Sequence, residues 1–317
     1  MKQPGTPLER IWINAKRWRT VPLGPISFVF RLNRTVRVSN NTRRRLVRTL
    51  ETKLFHKIGS QQTFKLKDQP DFFKIRPTFE QYPETALIVG VGPGFGYAAA
   101  RKLALSGMRV AVASRNAERL DALVDELNAT GMCLVRAYGC DATNEHSVRK
   151  LISLVSKELG VPNLILYSVQ DFCPGRTVEI ELPAFESCWR QNCLGAFVVA
   201  REGARAMLSL NRGTIILIGS PSGVVGRVGH LNLAVGKFGL RALAQVMSRE
   251  LSPSGIHVVH LLIDGEISEC DSFADDVPLA NPEHVCDVVL ALHRQPKTVW
   301  TSEIDIRPWN EKFWERC

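Results

Sequence analysis

The sequence predicts an α/β fold of Rossmann type, a doubly wound parallel sheet with helices on both faces, preceded by a basic N-terminal extension containing one amphipathic helix. Three observations carry this reading. A strand, glycine turn, helix and second strand run from Thr85 to Asn116. Strand-length apolar runs then alternate with helical patterns to the C-terminus, which implies a parallel sheet covered on both faces. The positive charge, finally, is confined to the first quarter of the chain. Residues 1–80 hold 18 Lys and Arg against 5 Asp and Glu, whereas the whole chain carries a net charge of only +10. Two regions follow: residues 1–84, an Arg- and aromatic-rich extension and linker, and residues 85–317, the α/β domain.

In the extension, residues 1–38 mix cations with aromatic residues and prolines and lack the alternation or helical period of a self-sufficient core. Only Glu9 is acidic before Glu51. An Arg-rich, acid-poor leader fits a mitochondrial matrix address, with a cytoplasmic location as the alternative. The segment is either a leader that is removed or disordered, or a retained arm. As an arm it would lie along RNA or a ribonucleoprotein through residues 1–60, with Arg17, Arg19, Arg31, Arg34 and Arg37 on phosphates and aromatic rings on bases. Asn41 or Thr42 caps a predicted helix with Leu46, Val47, Leu50, Leu54, Phe55 and Ile58 on one face. Arg43, Arg44, Arg45 and Arg48 lie around the other, and Gly59 stops the helix. That helix suits RNA, a protein groove, the chain's own domain or, less favoured, an anionic membrane surface. Residues 60–84 read as an extended connector punctuated by Pro70, Pro77 and Pro83.

In the domain, Ala86 to Val89 form the first strand, Gly90, Gly92, Gly94 and Gly96 follow, and Ala98 to Leu105 carry helix formers up to Gly107. Glycines placed there allow the tight turn, admit a pyrophosphate to the backbone amides at the helix N-terminus, and let helix and strand pack closely. Pro93 removes one amide from that cradle. The second strand, Arg109 to Ala113, ends in Ser114, Arg115 and Asn116, where an NAD-specific site would carry a carboxylate. Arg115 offers a fork of donors to a 2′-phosphate, so the expected cofactor is NADP(H); the alternative is an ordinary solvated arginine. The predicted elements continue as helix 117–127, strand 133–138, helix 145–159, strand 164–167, a long helical stretch 183–210, strand 214–218, helix 233–251, strand 256–263, a helix at 282–292 and a strand at 300–306.

Composition narrows the function classes. The eight cysteines show no CxxC pairing, which argues against a metal site and against a disulfide framework, and a reducing compartment fits them. No apolar run approaches the roughly 20 residues needed to span a bilayer.

Over residues 85–308 the chain resembles the short-chain dehydrogenase/reductase family. Gly90-x-x-x-Gly94-x-Gly96 matches its cofactor loop, and Asp141 matches the position that contacts adenine. The resemblance implies an active site of Asn, Ser, Tyr and Lys. Asn192, Ser220 and Lys237 match three of these, and Leu233 stands where Y-x-x-x-K places the tyrosine. In the family that tyrosine moves the proton, the lysine lowers its pKa and holds the nicotinamide ribose, and the serine orients the carbonyl. Leucine does no proton chemistry, and losing a general acid typically forfeits about 10²- to 10⁴-fold in rate. The NADP(H) site is then retained for binding or as a vestige.

Further departures are Tyr167-Ser168-Val169-Gln170 in place of Asn-Asn-Ala-Gly, and Ile263-Asp264-Gly265 where Pro-Gly is usual. Tyr167 either supplies a substitute hydroxyl or fills space, and His230 is either an acid or a loop histidine. The segment from Gly265 to Pro282 is short for a substrate lid. The C-terminal stretch resembles an atypical branch of the family that often lacks the tyrosine. These features give two expectations: a catalytically impaired binding subunit of a mitochondrial ribonucleoprotein, ribosome or assembly particle, or an active NADPH-dependent carbonyl oxidoreductase behind a targeting segment. A homodimer through the long central helices is a further expectation from the family.

Overall fold

A computed structural model describes the backbone of residues 19–23, 26–30 and 76–77 and, in full, residues 83–92, 94–131, 133–268 and 279–312. The chain divides into two compact units, Met1–Tyr82 and Pro83–Cys317.

In the first unit, strands β1 (Arg19–Leu23), β2 (Ile26–Phe30) and β3 (Arg76–Pro77) pair antiparallel in the order β1-β2-β3. The sequence reading found no strand alternation over residues 1–38, where β1 and β2 form, and β3 falls within the connector read as extended. Arg19 opens β1. The expected helix at 43–58, together with Arg17, Arg31, Arg34, Arg37, Arg43, Arg44, Arg45, Arg48 and Pro93, lies outside the described residues.

The second unit is built on seven parallel strands: β4 (Thr85–Val89), β5 (Arg109–Ser114), β6 (Val135–Gly139), β7 (Leu164–Tyr167), β8 (Gly213–Gly219), β9 (Ile256–Ile263) and β12 (Glu303–Ile306). Their order is β12-β9-β8-β7-β4-β5-β6, so the winding reverses between β4 and β7. Ligands in such sheets bind at that switch point, beyond the carboxyl ends of the strands.

Side-chain alternation sends each strand into two cores. Ala86 and Ile88 of β4 join one apolar cluster, with α1 (Phe95–Leu105), α2 (Asp121–Ala129) and α7 (Pro282–His293) over it. Leu87 and Val89 join the other, beneath α3 (Glu145–Glu158), α5 (Gly195–Leu208) and α6 (Leu231–Leu251). Burial on both faces is why these strands read as unbroken apolar runs.

Three details depart from the sequence reading. The helix expected over 117–127 begins with a 3-10 turn, Ala117–Leu120, because Asn116 caps it by accepting from the Glu118 N–H at 3.1 Å. The long stretch at 183–210 is α4 (Leu182–Trp189), a π turn at Arg190–Leu194, and α5. Between Gly265 and Pro282, β10 (Glu266–Ile267) and β11 (Leu279–Ala280) form a short parallel pair.

The amino ends of the strands are closed by polar ties. Asn163 accepts from the Thr85 N–H at 3.0 Å, and His293 bridges Thr214 at 3.0 Å and Glu84 at 3.1 Å. Two shallow hollows of about 390 and 140 Å³ open on this edge, opposite the switch point. No described helix is long and apolar enough to cross a membrane, and no group of metal-ligating side chains occurs among the described residues.

Candidate nucleotide site at the carboxyl edge

The loop leaving β4 is shaped by its glycines. Gly90 has φ +95°, and a Cβ there would stand 2.6 Å from the Val169 nitrogen, so the chain leaving β7 crosses directly over it. Gly94 has φ +88° with open space where its Cβ would be, which leaves the start of α1 approachable. A Cβ on Gly96 would lie 2.9 Å from the Val91 Cα, so this residue lets α1 seat against its own loop. Turn, open cradle and close packing therefore fall on the three glycines of the motif. The first N–H groups of an α-helix have no partner inside the helix, so the open space at Gly94 faces donors suited to a phosphate.

On the neighbouring strands, the Cys140 N–H donates to the Ser114 carbonyl at 2.8 Å and joins the exits of β5 and β6. Ser114 spends its hydroxyl on the Asn116 carbonyl at 2.5 Å, whereas Arg115 is exposed and carries no hydrogen bond or ion pair among the described residues. Asp141 is exposed beside them, its Oδ1 accepting from the Thr143 N–H and hydroxyl, both at 2.9 Å. The loop, Arg115 and Asp141 thus line one side of the switch point.

The other side holds the residues matched to the family's relay. Asn192 sits in the π turn, fully buried, and its Nδ2 donates to the Asp171 carbonyl at 2.7 Å and the Cys188 carbonyl at 2.9 Å. Those two acceptors fix the amide orientation and leave Oδ1 buried without a partner. Tyr167 is buried beneath the same turn and donates to the Gln191 carbonyl at 2.5 Å. Burial pushes its phenol pKa above the ordinary range. The hydroxyl is committed to the π turn, so Tyr167 fills space and supports the kink.

Ser220 follows β8 in extended conformation, its hydroxyl buried and unpartnered. Leu233 lies on the first turn of α6 at 6% exposure. Lys237, one turn on, is 1% exposed, and its Nζ donates to the Ile218 carbonyl at 3.0 Å. Burial alone lowers its pKa from 10.5 to about 8, and no carboxylate offsets it. The amine is therefore turned into the sheet and shut off from solvent.

His230 precedes α6, its ring stacked on Phe172 at 4.9 Å and its Nδ1 3.2 Å from the Val228 carbonyl. Together with the Gly175 N–H bond to Gly229 at 3.1 Å, this ties residues 172–175 to the loop before α6. Asn232 completes the tie by donating to the Cys173 carbonyl at 2.6 Å. Sequence reasoning missed Asn232.

Comparison with known proteins agrees with this geometry. The family model described as short chain dehydrogenase matches residues 84–264. Sorbitol-6-phosphate 2-dehydrogenase of Escherichia coli (strain K12) is 31% identical over 197 residues, covering 62% of this chain and 76% of the relative. The crystal structure of a short-chain dehydrogenase from Rhodopseudomonas palustris aligns with a TM-score of 0.64 at 33% identity, covering 71% of this chain and 99% of that one. A metagenomic short-chain oxidoreductase, solved in complex with NADP, aligns with a TM-score of 0.63 at 23% identity over 72% of this chain and 98% of its own. At that identity the last likeness speaks for the fold alone. The glycine loop, the reversed winding and a family match across more than half of the sequence lead to one assignment: the chain belongs to the short-chain dehydrogenase family.

Proposed function

We propose that this protein binds NADP(H) in a short-chain-dehydrogenase fold with an incomplete proton relay, and that it serves chiefly as a binding subunit of a mitochondrial ribonucleoprotein. One observation carries the catalytic half: Leu233 is buried where the family's proton donor belongs, and Lys237 donates to the Ile218 carbonyl. NADP(H), when bound, supplies a hydride donor or acceptor. The residues fit the nucleotide, with the open cradle at Gly94 suited to its pyrophosphate and exposed Arg115 to its 2′-phosphate.

The ribonucleoprotein half rests on the 18 cations against 5 acidic residues in residues 1–80, an excess the family fold does not require. A homodimer through the central helices draws support from Phe197 on α5 and Phe238 on α6, which are 39% and 43% exposed.

Equilibrium titration with NADPH, followed by a carbonyl substrate screen, tests the catalytic half. Saturable binding without turnover is expected, and turnover at ordinary enzyme rates would refute it. For the partner, native protein is sedimented with and without RNase. Co-migration with a large particle that RNase disperses is expected, and migration as a small species in both samples would overturn this assignment.

The second reading is an active NADPH-dependent carbonyl oxidoreductase. It is favoured by the sorbitol-6-phosphate 2-dehydrogenase relative and by the Ser220 hydroxyl, which no group of the described chain occupies. On that reading turnover collapses in Ser220→Ala.

A further inference from the structure

The larger hollow at the amino edge of the sheet holds about 390 Å³ and is lined by Asn211, the 3-10 turn Ser252–Ser254, Gly255, Lys297 and Trp300. That volume lies in the range of small-molecule sites. The smaller hollow beside it, lined in part by Glu84 and Arg212, shares Gly255, Lys297 and Trp300 with it.

Three segments meet here because residue 255 is glycine. Its φ is +78°, and a Cβ there would meet the Asn211 carbonyl oxygen and stand 2.7 Å from Nζ of Lys297. Asn211 has φ +49° and is the only non-glycine residue in the left-handed region among the described residues. Side chains resist that conformation, so the turn at Asn211 is held by its neighbours.

Trp300 is a fixed wall. Its Nε1 donates to the Gln295 carbonyl at 3.3 Å, and its ring lies nearly parallel to that of His257 at 4.9 Å. Lys297, by contrast, is exposed and weakly engaged. Its Nζ stands 3.4 Å from the Asn211 carbonyl and 6.0 Å from the Trp300 ring centroid, and no carboxylate pairs with it among the described residues. The Ser254 hydroxyl and the Asn211 side-chain amide likewise make no hydrogen bond among the described residues, whereas Ser252 donates its hydroxyl to the Ser248 carbonyl at 2.6 Å.

An ammonium, a hydroxyl and an amide therefore line one hollow as donors. No carboxylate lines it, and Glu84 next door is engaged by His293 at 3.1 Å. Such a donor set suits an anionic oxygen group, and a phosphate can accept from all three. The hollow is much larger than a phosphate, and its rigid indole wall suits a flat ring on the same ligand, as aromatic side chains stack nucleic-acid bases.

We propose that this hollow is a second ligand site, which takes a nucleotide with its phosphate on Lys297 and its base against Trp300. It lies opposite the switch point and depends on neither the NADP(H) reading nor the partner assigned to the extension. Two sources carry that chemistry: a free mononucleotide, or one unit of a single-stranded RNA.

Equilibrium titration of the full chain with AMP tests the site. Lys297→Ala should weaken AMP binding by about tenfold, the worth of one hydrogen bond to a charged group. Trp300→Leu should weaken it by about tenfold as well, through lost stacking. Lys297→Arg and Trp300→Phe keep the charge and the ring and should recover most of the affinity, which a folding defect would not allow. Adenosine lacks the phosphate, so its weaker binding should ignore Lys297→Ala; ribose 5-phosphate lacks the base, so its binding should ignore Trp300→Leu.

Gly94→Ala separates the two edges of the sheet, because it alters only the cradle at the switch point. AMP affinity should be unchanged in that variant. AMP binding that falls in Gly94→Ala and not in Lys297→Ala would put AMP in the cradle and overturn the proposal, as would the absence of saturable AMP binding. A short single-stranded RNA decides the source. Loss of RNA affinity in Lys297→Ala, parallel to that for AMP, assigns the hollow to a strand, and loss for AMP alone assigns it to a free nucleotide.

Discussion

Replacing Lys237 by methionine is expected to stabilise the domain by about 1–2 kcal/mol at neutral pH and to flatten its stability between pH 8 and 10.5. Nζ is buried against a single carbonyl, and burial lowers its pKa from 10.5 to about 8. That gap corresponds to about 3 kcal/mol, the cost of keeping a buried ammonium charged. Methionine fills the same space without charge. Removal of the donor to Ile218 offsets part of the gain, by about 1–2 kcal/mol.

The sign of the pH dependence follows from proton binding. Below pH 8 both the folded and unfolded chains hold the proton, so the full penalty applies. As pH rises from about 8 toward 10.5, the folded chain releases its proton while the unfolded chain keeps it, and stability increases. The wild type should therefore gain stability across this window relative to Lys237→Met, and taking the difference between the two cancels the other titrating groups. Denaturant unfolding at pH 7, 8.5 and 10 measures it. Parallel curves for both proteins would mean that the amine is solvated and free to face a ligand.

Much of this architecture was legible because its strands are buried on both faces. Leu164–Tyr167 and Ile256–Ile263 are unbroken apolar runs, and the observed strands have the boundaries read from sequence. Two glycines of the loop were legible for a comparably local reason, since a Cβ at Gly90 would meet the chain leaving β7 and one at Gly96 would meet Val91. The last strand begins at Glu303, later than the expected 300, because the 3-10 turn Lys297–Val299 and the stacking of Trp300 on His257 at 4.9 Å occupy the preceding residues.

The candidate site was legible as a set of positions but less so in orientation. Nothing local to Lys237 tells that its amine turns to the Ile218 carbonyl, because that bond spans 19 residues and depends on how α6 lies over β8. The π turn that places Asn192 is likewise set by Tyr167 reaching across from β7 to the Gln191 carbonyl.

Gly90→Ala is expected to destabilise the domain by about 2–5 kcal/mol and lower its Tm by roughly 10 °C. Two costs add: a left-handed φ that side chains resist by about 1–2 kcal/mol, and overpacking of about 1–3 kcal/mol. The second is unavoidable because the new methyl would meet backbone, the Val169 nitrogen at 2.6 Å and the Ser168 carbon at 2.8 Å, where β4 and β7 lie side by side at the switch point.

The other loop glycines separate fold from ligand. Gly92 has nothing within 4 Å of its would-be Cβ and no positive φ, so Gly92→Ala should leave Tm nearly unchanged. Gly94 has φ +88° but open space, so Gly94→Ala should cost only about 1–2 kcal/mol of strain while placing a methyl in the phosphate cradle. NADPH affinity should therefore fall more steeply in Gly94→Ala than in Gly92→Ala, with both proteins folded. Thermal melts and NADPH titrations of the three variants measure both quantities. A Gly90→Ala protein that melts within about 2 °C of the wild type would show that the chain leaving β7 does not cross the loop, and the site would have to be rebuilt from that point.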